Sequence, residues 1–267
     1  MEYKTSHNMK RLVLATFLSF ICLGQAFCND FKHKEFESSE GKVLRYRVLT
    51  PEGFKESEKY PLVLFLHGAG ERGSDNESQL MHGGQMFLNP VNREKHPAFV
   101  LFPQCPVEDY WAFLGRPASF TKLEAEEEVT PILQAVKELM DSYLECPYID
   151  KSRVYIMGLS MGGMGTFDLV TRYPETFAAA IPICGAADTG KLGTIEGVSF
   201  RIYHGDADTV VPVECSRLAY RALRDAGADV EYYEFPGCGH GSWNPAFSMP
   251  DFMEWLFKQK KARKYLK

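Results

Sequence analysis

The sequence predicts an α/β fold with a mostly parallel central sheet and helices on both faces. Three observations carry this. Apolar, β-rich runs alternate with amphipathic stretches from about Phe36 to the end. Most of those runs are continuously apolar, as strands buried on both faces must be. No internal repeat or low-complexity linker divides the pattern, so one domain organised as repeated β-α-β units accounts for it.

The elements follow in order. Val43, Arg45, Arg47 and Leu49 alternate with Leu44, Tyr46 and Val48, which reads as an early hairpin or edge strand closed by the turn Pro51-Glu52-Gly53. Further strands are expected at Leu62 to Leu66, Phe99 to Phe102, Val154 to Met157, Phe177 to Ile183, Phe200 to Tyr203 and Val230 to Phe235. Val129, Ile132, Leu133, Val136, Leu139, Met140 and Tyr143 recur at helical spacing, with Pro131 near the first turn and Lys137, Glu138 and Asp141 left for water. Helices are also expected over Met164 to Tyr173, over Glu214 to Asp225 before Gly227, and from Asp251 to the basic tail. The longest gap between predicted strands runs from about Glu71 to Ala98, which is too short for a separate lid domain.

A chain of 267 residues, 45% hydrophobic and 24% charged, suits one sizeable domain. Its net charge of −5 comes without long single-sign runs, the densest being Glu124 to Glu128, so a nucleic-acid partner is not expected. Lys10-Arg11, the apolar stretch Leu12 to Leu23 and the small residues of Gly24-Gln25-Ala26 read as a signal peptide over residues 1–26. Residues 27–267 would then form the mature domain, exported to a periplasmic or extracellular space. The apolar stretch falls short of the roughly 20 residues that span a bilayer, so no stable membrane span is expected. Seven cysteines, at 22, 28, 105, 146, 184, 215 and 238, include no C-x-x-C pair and no Cys/His cluster at zinc spacing. No metal is expected, and disulfide pairing stays open, as does oligomeric state.

The sharpest local signal is Gly158-Leu159-Ser160-Met161-Gly162-Gly163, which follows the run Val154 to Met157 and precedes a helical stretch. A Gly-x-Ser-x-Gly sequence between strand and helix is a nucleophile elbow: the turn is tight enough that side chains at 158 and 162 would strike the neighbouring strand and helix. A serine hydroxyl is a weak nucleophile and needs a base oriented in turn by a carboxylate. Phe200 to Tyr203 runs into His204-Gly205-Asp206-Ala207-Asp208, which places carboxylates at the C-terminal end of a strand, where open α/β sheets build their sites. Pro236-Gly237-Cys238-Gly239-His240-Gly241 follows the last strand as a loop able to bring His240 over the sheet. Ser160, Asp208 and His240 occur in the order this elbow architecture uses.

From Leu62 to His240 the sequence resembles the α/β-hydrolase superfamily. Leu66-His67-Gly68-Ala69-Gly70-Glu71-Arg72-Gly73 and Phe102-Pro103-Gln104-Cys105-Pro106 resemble its secreted esterase branch, which joins feruloyl and acetyl-xylan esterase-like proteins to polyhydroxybutyrate-depolymerase-like ones. The resemblance implies an α/β-hydrolase fold and cofactor-free hydrolysis of a small-molecule or polysaccharide ester by a Ser-His-Asp triad. It implies Asp208 as the acid, with Asp206 as runner-up, otherwise a loop residue bonded to nearby amides. It also implies an oxyanion hole of the Ala69 and Met161 amides. His67 and His204 read as structural. Trp111 and Trp243 are candidates to stack on a sugar or aromatic ester, with core or loop packing as the alternative. Met81 to Phe87 needs only core packing. Cys238 reads as a buried residue or disulfide partner. Asn76-Glu77-Ser78 fits the N-glycosylation pattern. A serine peptidase, a phospholipase and an inactive hydrolase-fold binding module are the rival readings.

Overall fold

The computed structural model describes residues 30–265. The expected signal peptide, with Cys22 and Cys28 near it, therefore lies outside the described residues. Strands β1 (Lys32–Glu37), β2 (Val43–Leu49), β3 (Tyr60–Leu66), β4 (Phe99–Pro103), β5 (Ile149–Leu159), β6 (Ala179–Ile183), β7 (Ser199–Gly205) and β8 (Val230–Phe235) form one sheet. Its order is β1-β2-β4-β3-β5-β6-β7-β8. β2 runs antiparallel to β1 and β4, and every other neighbouring pair is parallel.

The continuous apolar runs are strands with two buried faces. In β3, Leu62, Leu64 and Leu66 enter one core cluster while Val63 and Phe65 enter another on the opposite face. β4 divides Phe99 and Leu101 from Val100 and Phe102 in the same way, and β5 divides Val154 and Ile156 from Tyr155 and Met157. Successive side chains of a strand point to opposite faces, so each strand feeds both cores.

Helices α1 (Gly84–Leu88), α2 (Pro90–Lys95), α3 (Pro131–Leu144), α4 (Met161–Arg172), α5 (Thr189–Leu192), α6 (Glu214–Asp225), α7 (Trp243–Phe247) and α8 (Phe252–Lys258) connect and cover the strands. α3 begins where the sequence signals it: the Thr130 hydroxyl accepts from the Leu133 amide and Pro131 occupies the first turn. Its buried stripe of Ile132, Leu133, Val136, Leu139 and Met140 faces the core. Among the described residues no helix is long and apolar enough to cross a membrane.

One expectation needs correction. Residues 71–98 carry α1, α2 and a 3-10 turn at Ser78–Leu80, so among the described residues the longest stretch without helix or strand is 104–130. That stretch is not a detached lid: Trp111 joins the main core, and Ala112, Phe113 and Leu123 pack with Met164, Ala186, Val211 and Cys215. The C-terminal helix runs, as expected, up to the basic tail and ends at Lys258. Beyond it Lys261 is buried, its ammonium donating to the carbonyls of Pro174, Phe177 and Gly197.

The chain moves from β3 outward to β4, then returns to place β5 on the other side of β3. At such a reversal the loops leaving adjacent strands diverge, which opens a crevice at their carboxyl ends. Residues following β3, β5, β7 and β8 meet there.

Candidate active site

β5 ends at Leu159 and α4 begins at Met161, leaving Ser160 alone at the junction. Its backbone sits at φ 54° and ψ −117°, a region L-residues rarely occupy and which costs of order 1–3 kcal/mol. The surroundings over-determine it. The Ser160 amide donates to the Ile183 carbonyl at 2.9 Å, and the Ser160 carbonyl accepts from the Met164 amide at 3.1 Å. A Cβ at Gly158 would lie 2.6 Å from the Gly162 carbonyl carbon and 2.8 Å from the Leu66 oxygen. A Cβ at Gly162 would collide with the Leu66 carbonyl oxygen and lie 2.7 Å from that of His67. Both glycines are therefore fixed by backbone that cannot yield.

Gly162→Ala is accordingly expected to cost more than about 3 kcal/mol, at or beyond the usual range for overpacking, and to lower the melting temperature by roughly 6–12 °C. Gly70→Ala, where a Cβ meets nothing within 4 Å, serves as the neutral control in the same thermal melts.

The three residues named from the sequence come together over this elbow. His240 Nε2 lies 2.9 Å from Ser160 Oγ, and His240 Nδ1 lies 2.7 Å from Asp208 Oδ2. Because Nδ1 faces a carboxylate it carries the ring proton, which leaves Nε2 free to accept from the serine hydroxyl. Asp208 is held on both oxygens. Oδ1 accepts from the Val210 and Val211 amides at 2.8 and 3.0 Å, while Oδ2 accepts from His240 and faces His204 Nε2 at 3.2 Å. Burial pushes this carboxyl upward, but the hydrogen bonds from His204, His240 and the two amides outweigh it and hold the group well below the usual carboxylate range. Asp206 instead accepts from the Gly237 amide at 2.6 Å, an exposed loop contact away from the imidazole.

His204 is wholly buried and sits behind the acid. Its Nε2 faces two acceptors, the Val211 carbonyl at 3.0 Å and Asp208, so the proton resides there and Nδ1 accepts from the Ser216 hydroxyl at 2.6 Å. His67 is buried under the loop after β3. Its Nε2 accepts from the Cys105 amide at 2.9 Å and its Nδ1 donates to the Gly68 carbonyl at 2.6 Å, so it ties that loop to the end of β4. Burial pulls its pKa down to about 4, keeping the ring neutral over the working range.

The loop it holds opens a 3-10 turn at Ala69–Glu71, and Met161 opens α4. First-turn amides have no acceptor within their own helix, so Ala69 and Met161 each present an N–H near the elbow. Arg72 braces the same loop, donating to the carbonyls of Ala69, Val107 and Asp109.

The two tryptophans part company. Trp111 is fully buried and donates its indole N–H to the His67 carbonyl at 3.0 Å, so the expectation that it stacks on substrate gives way to core packing. Trp243 is half-buried with its ring edge-on to His240, centroids 5.6 Å apart, and so lines the site. Asn76 of the glycosylation pattern is buried, its amide nitrogen directed to the Lys34 carbonyl and its oxygen accepting from Gln79.

Sequence reasoning did not place Cys184 beside Asp208 and His240. The five described cysteines are free thiols. Cys184, Asp208 and His240 bring a thiol, a carboxylate and an imidazole within 4.8 Å of one another. Asp208 and His240 are already bonded to each other, and burial pushes the Cys184 thiol up to about 12. A protonated thiol is a poor metal ligand, so these three residues do not fit a metal centre.

Comparison with known proteins agrees with this architecture. Residues 54–256 match the phospholipase/carboxylesterase family model. The probable carboxylesterase SOBER1-like of Arabidopsis thaliana is 27% identical over 259 residues, 90% of this chain and 92% of the relative. A thermostable esterase of known structure aligns at a TM-score of 0.80 and 39% identity over 87% of this chain, which spans 64% of that one. A ferulic acid esterase of Anaeromyces mucronatus, solved with ferulic acid, shares the fold at a TM-score of 0.62 and 17% identity, covering 86% of this chain and 90% of the other. With the match running over most of its length, the chain belongs to the phospholipase/carboxylesterase family of hydrolases within the α/β-hydrolase superfamily.

Proposed function

We propose that this chain is an exported serine esterase that removes acyl groups of the acetyl or feruloyl type from polysaccharide or related substrates. The observation that carries the reading is the unbroken relay from Ser160 Oγ through His240 to Asp208, built on a strained elbow. Ser160 attacks the ester carbonyl while His240 Nε2 takes the hydroxyl proton, and the amides of Ala69 and Met161 hold the tetrahedral oxyanion. Collapse of that intermediate breaks the ester C–O bond, and His240 returns the proton to the departing alcohol. Water then attacks the acyl-enzyme with His240 as base, releasing the acid and restoring Ser160. Asp208 keeps the imidazole in the tautomer both half-reactions require.

Export rests on the leader-like segment ending at Ala26, with residues 27–267 as the mature catalytic domain. The acyl preference rests on the sequence resemblance and on an aromatic residue, Trp243, beside the base.

The test is a panel of p-nitrophenyl acetate and butyrate, methyl ferulate, acetylated xylan, a micellar phospholipid and a peptide anilide. Cleavage of the acetyl or feruloyl esters, with the anilide untouched, is expected. Cleavage of the anilide alone, or activity only above the lipid's aggregation point, would replace the reading with a peptidase or a phospholipase.

A further inference from the structure

A carboxylate offers about four lone-pair sites. In Asp208 four donors meet them: the Val210 and Val211 amides on Oδ1, and on Oδ2 the rings of His240 at 2.7 Å and His204 at 3.2 Å. The two amides belong to the same turn as the acid and move with it. His204 stands on β7 and reaches the turn from outside. Its ring is wholly buried and both nitrogens are committed. Nε2–H is shared between the Val211 carbonyl at 3.0 Å and Asp208, while Nδ1 accepts from the Ser216 hydroxyl at 2.6 Å. Ser216 is equally buried and belongs to α6, so one imidazole ties β7, the turn carrying the acid and α6 together. Packing alone does not call for such a ring, because burying its polar nitrogens is costly unless each finds a partner. Against the burial that pushes the Asp208 carboxyl up, the His204 bond contributes most to holding it ionised.

We propose that His204 is a positioning residue of the hydrolytic machinery, pinning Asp208 Oδ2 so that the lone pair facing His240 stays in line with Nδ1. This rests on the esterase reading above and adds a residue to it. Without the His204 donor the carboxylate is held from behind on Oδ1 alone. It then pivots about those two bonds and carries Oδ2, and the imidazole bonded to it, out of line with Ser160. Ser216 supports the role, because its hydrogen on Nδ1 keeps the His204 proton on Nε2, the side that faces the acid. Ser216 and His204 thus mirror Ser160 and His240 about a single oxygen. Both are fully buried, so the mirrored pair orients the acid and touches no substrate.

Two substitutions of different reach separate positioning from packing. His204→Asn carries its NH₂ group only to the place of Nδ1, whereas His204→Gln carries it to the place of Nε2, where it can donate to Asp208 and the Val211 carbonyl. Turnover of p-nitrophenyl acetate is measured per active site, counted by exhaustive fluorophosphonate labelling, so that unfolded protein does not enter kcat. His204→Asn is expected to lower kcat by about 10- to 100-fold with KM unchanged, the scale set by a displacement of about 1 Å at a catalytic group. His204→Gln is expected to recover most of that loss. In an Asp208→Asn background His204→Asn is expected to change kcat little, because the oxygen it acts through is gone and the two effects do not add. The same fold-loss in both backgrounds, equal losses for His204→Asn and His204→Gln, or a loss confined to KM would each make His204 a packing residue and overturn the proposal. Absence of ester hydrolysis by wild type would remove the esterase reading alone, and the same comparisons are then read from the rate at which the fluorophosphonate labels Ser160.

Discussion

Ser160→Ala is expected to lower kcat on p-nitrophenyl acetate by about 10⁴–10⁶-fold while shifting the melting temperature by only a few degrees. In the proposed pathway the hydroxyl is the reacting group of this side chain, and the substitution deletes its bond to His240 Nε2 at 2.9 Å. The elbow itself is held by backbone bonds of Ser160 to Ile183 and Met164 and by the close approaches at Gly158 and Gly162, none of which needs the hydroxyl. Activity and stability therefore separate. Steady-state kinetics and thermal melts on the same preparation check both halves. A residual rate above the uncatalysed one is expected, because the amides of Ala69 and Met161, the proposed oxyanion donors, are left untouched.

Asp208→Asn is expected to cost about 10⁴-fold in kcat, and the reason lies in four hydrogen bonds. The Val210 and Val211 amides both donate to one carboxylate oxygen, so an asparagine must present its carbonyl there. Its NH₂ group then faces His240 Nδ1 and His204 Nε2, both of which donate to the wild-type carboxylate. His240 escapes the clash of donors by moving its proton to Nε2, the atom that must accept from Ser160. The base is lost although its position is kept. The same residue shapes acid stability. Because its folded pKa lies below its unfolded value, ionised Asp208 contributes stability above the ordinary carboxylate range, and that contribution is lost as pH falls through the folded value. The asparagine variant is expected to lack this part of the acid slope in a pH series of urea melts.

The parallel core of the sheet was legible because burial on both faces leaves a plain mark. Leu62 to Leu66 and Phe99 to Phe102 have no polar residue to interrupt them, and both are strands. β1 escaped notice for the opposite reason: Lys32–Glu37 is an exposed, charged edge strand, the composition that protects edges from pairing with other chains. The short helices α1 and α2 have too few turns to show a periodicity. Residues 104–130 pack through isolated anchors such as Trp111 and Phe113, whose partners lie far away in sequence.

The site shows the same division. Ser160, Asp208 and His240 each sit in a short motif whose glycines mark a backbone constraint, and Gly205 belongs to that set, since a Cβ there would lie 2.6 Å from the Gly239 carbonyl oxygen. What surrounds them carries no such mark. Glu71 and His82 approach one another within the β3–β4 connection, and His82 meets Trp243 only because that connection lies beside the segment following β8. Trp111 and Trp243 look alike in sequence, and only packing separates the core residue from the one lining the site.

The central claim, that Ser160 is the nucleophile of a covalent pathway, is tested most directly by intact-mass spectrometry after incubation with a fluorophosphonate, followed by peptide mapping. One stoichiometric adduct on the peptide carrying Ser160 is expected, with complete loss of esterase activity in the labelled protein and no adduct on Ser160→Ala. An adduct mapped elsewhere, or ester hydrolysis that survives full labelling of Ser160, would contradict it.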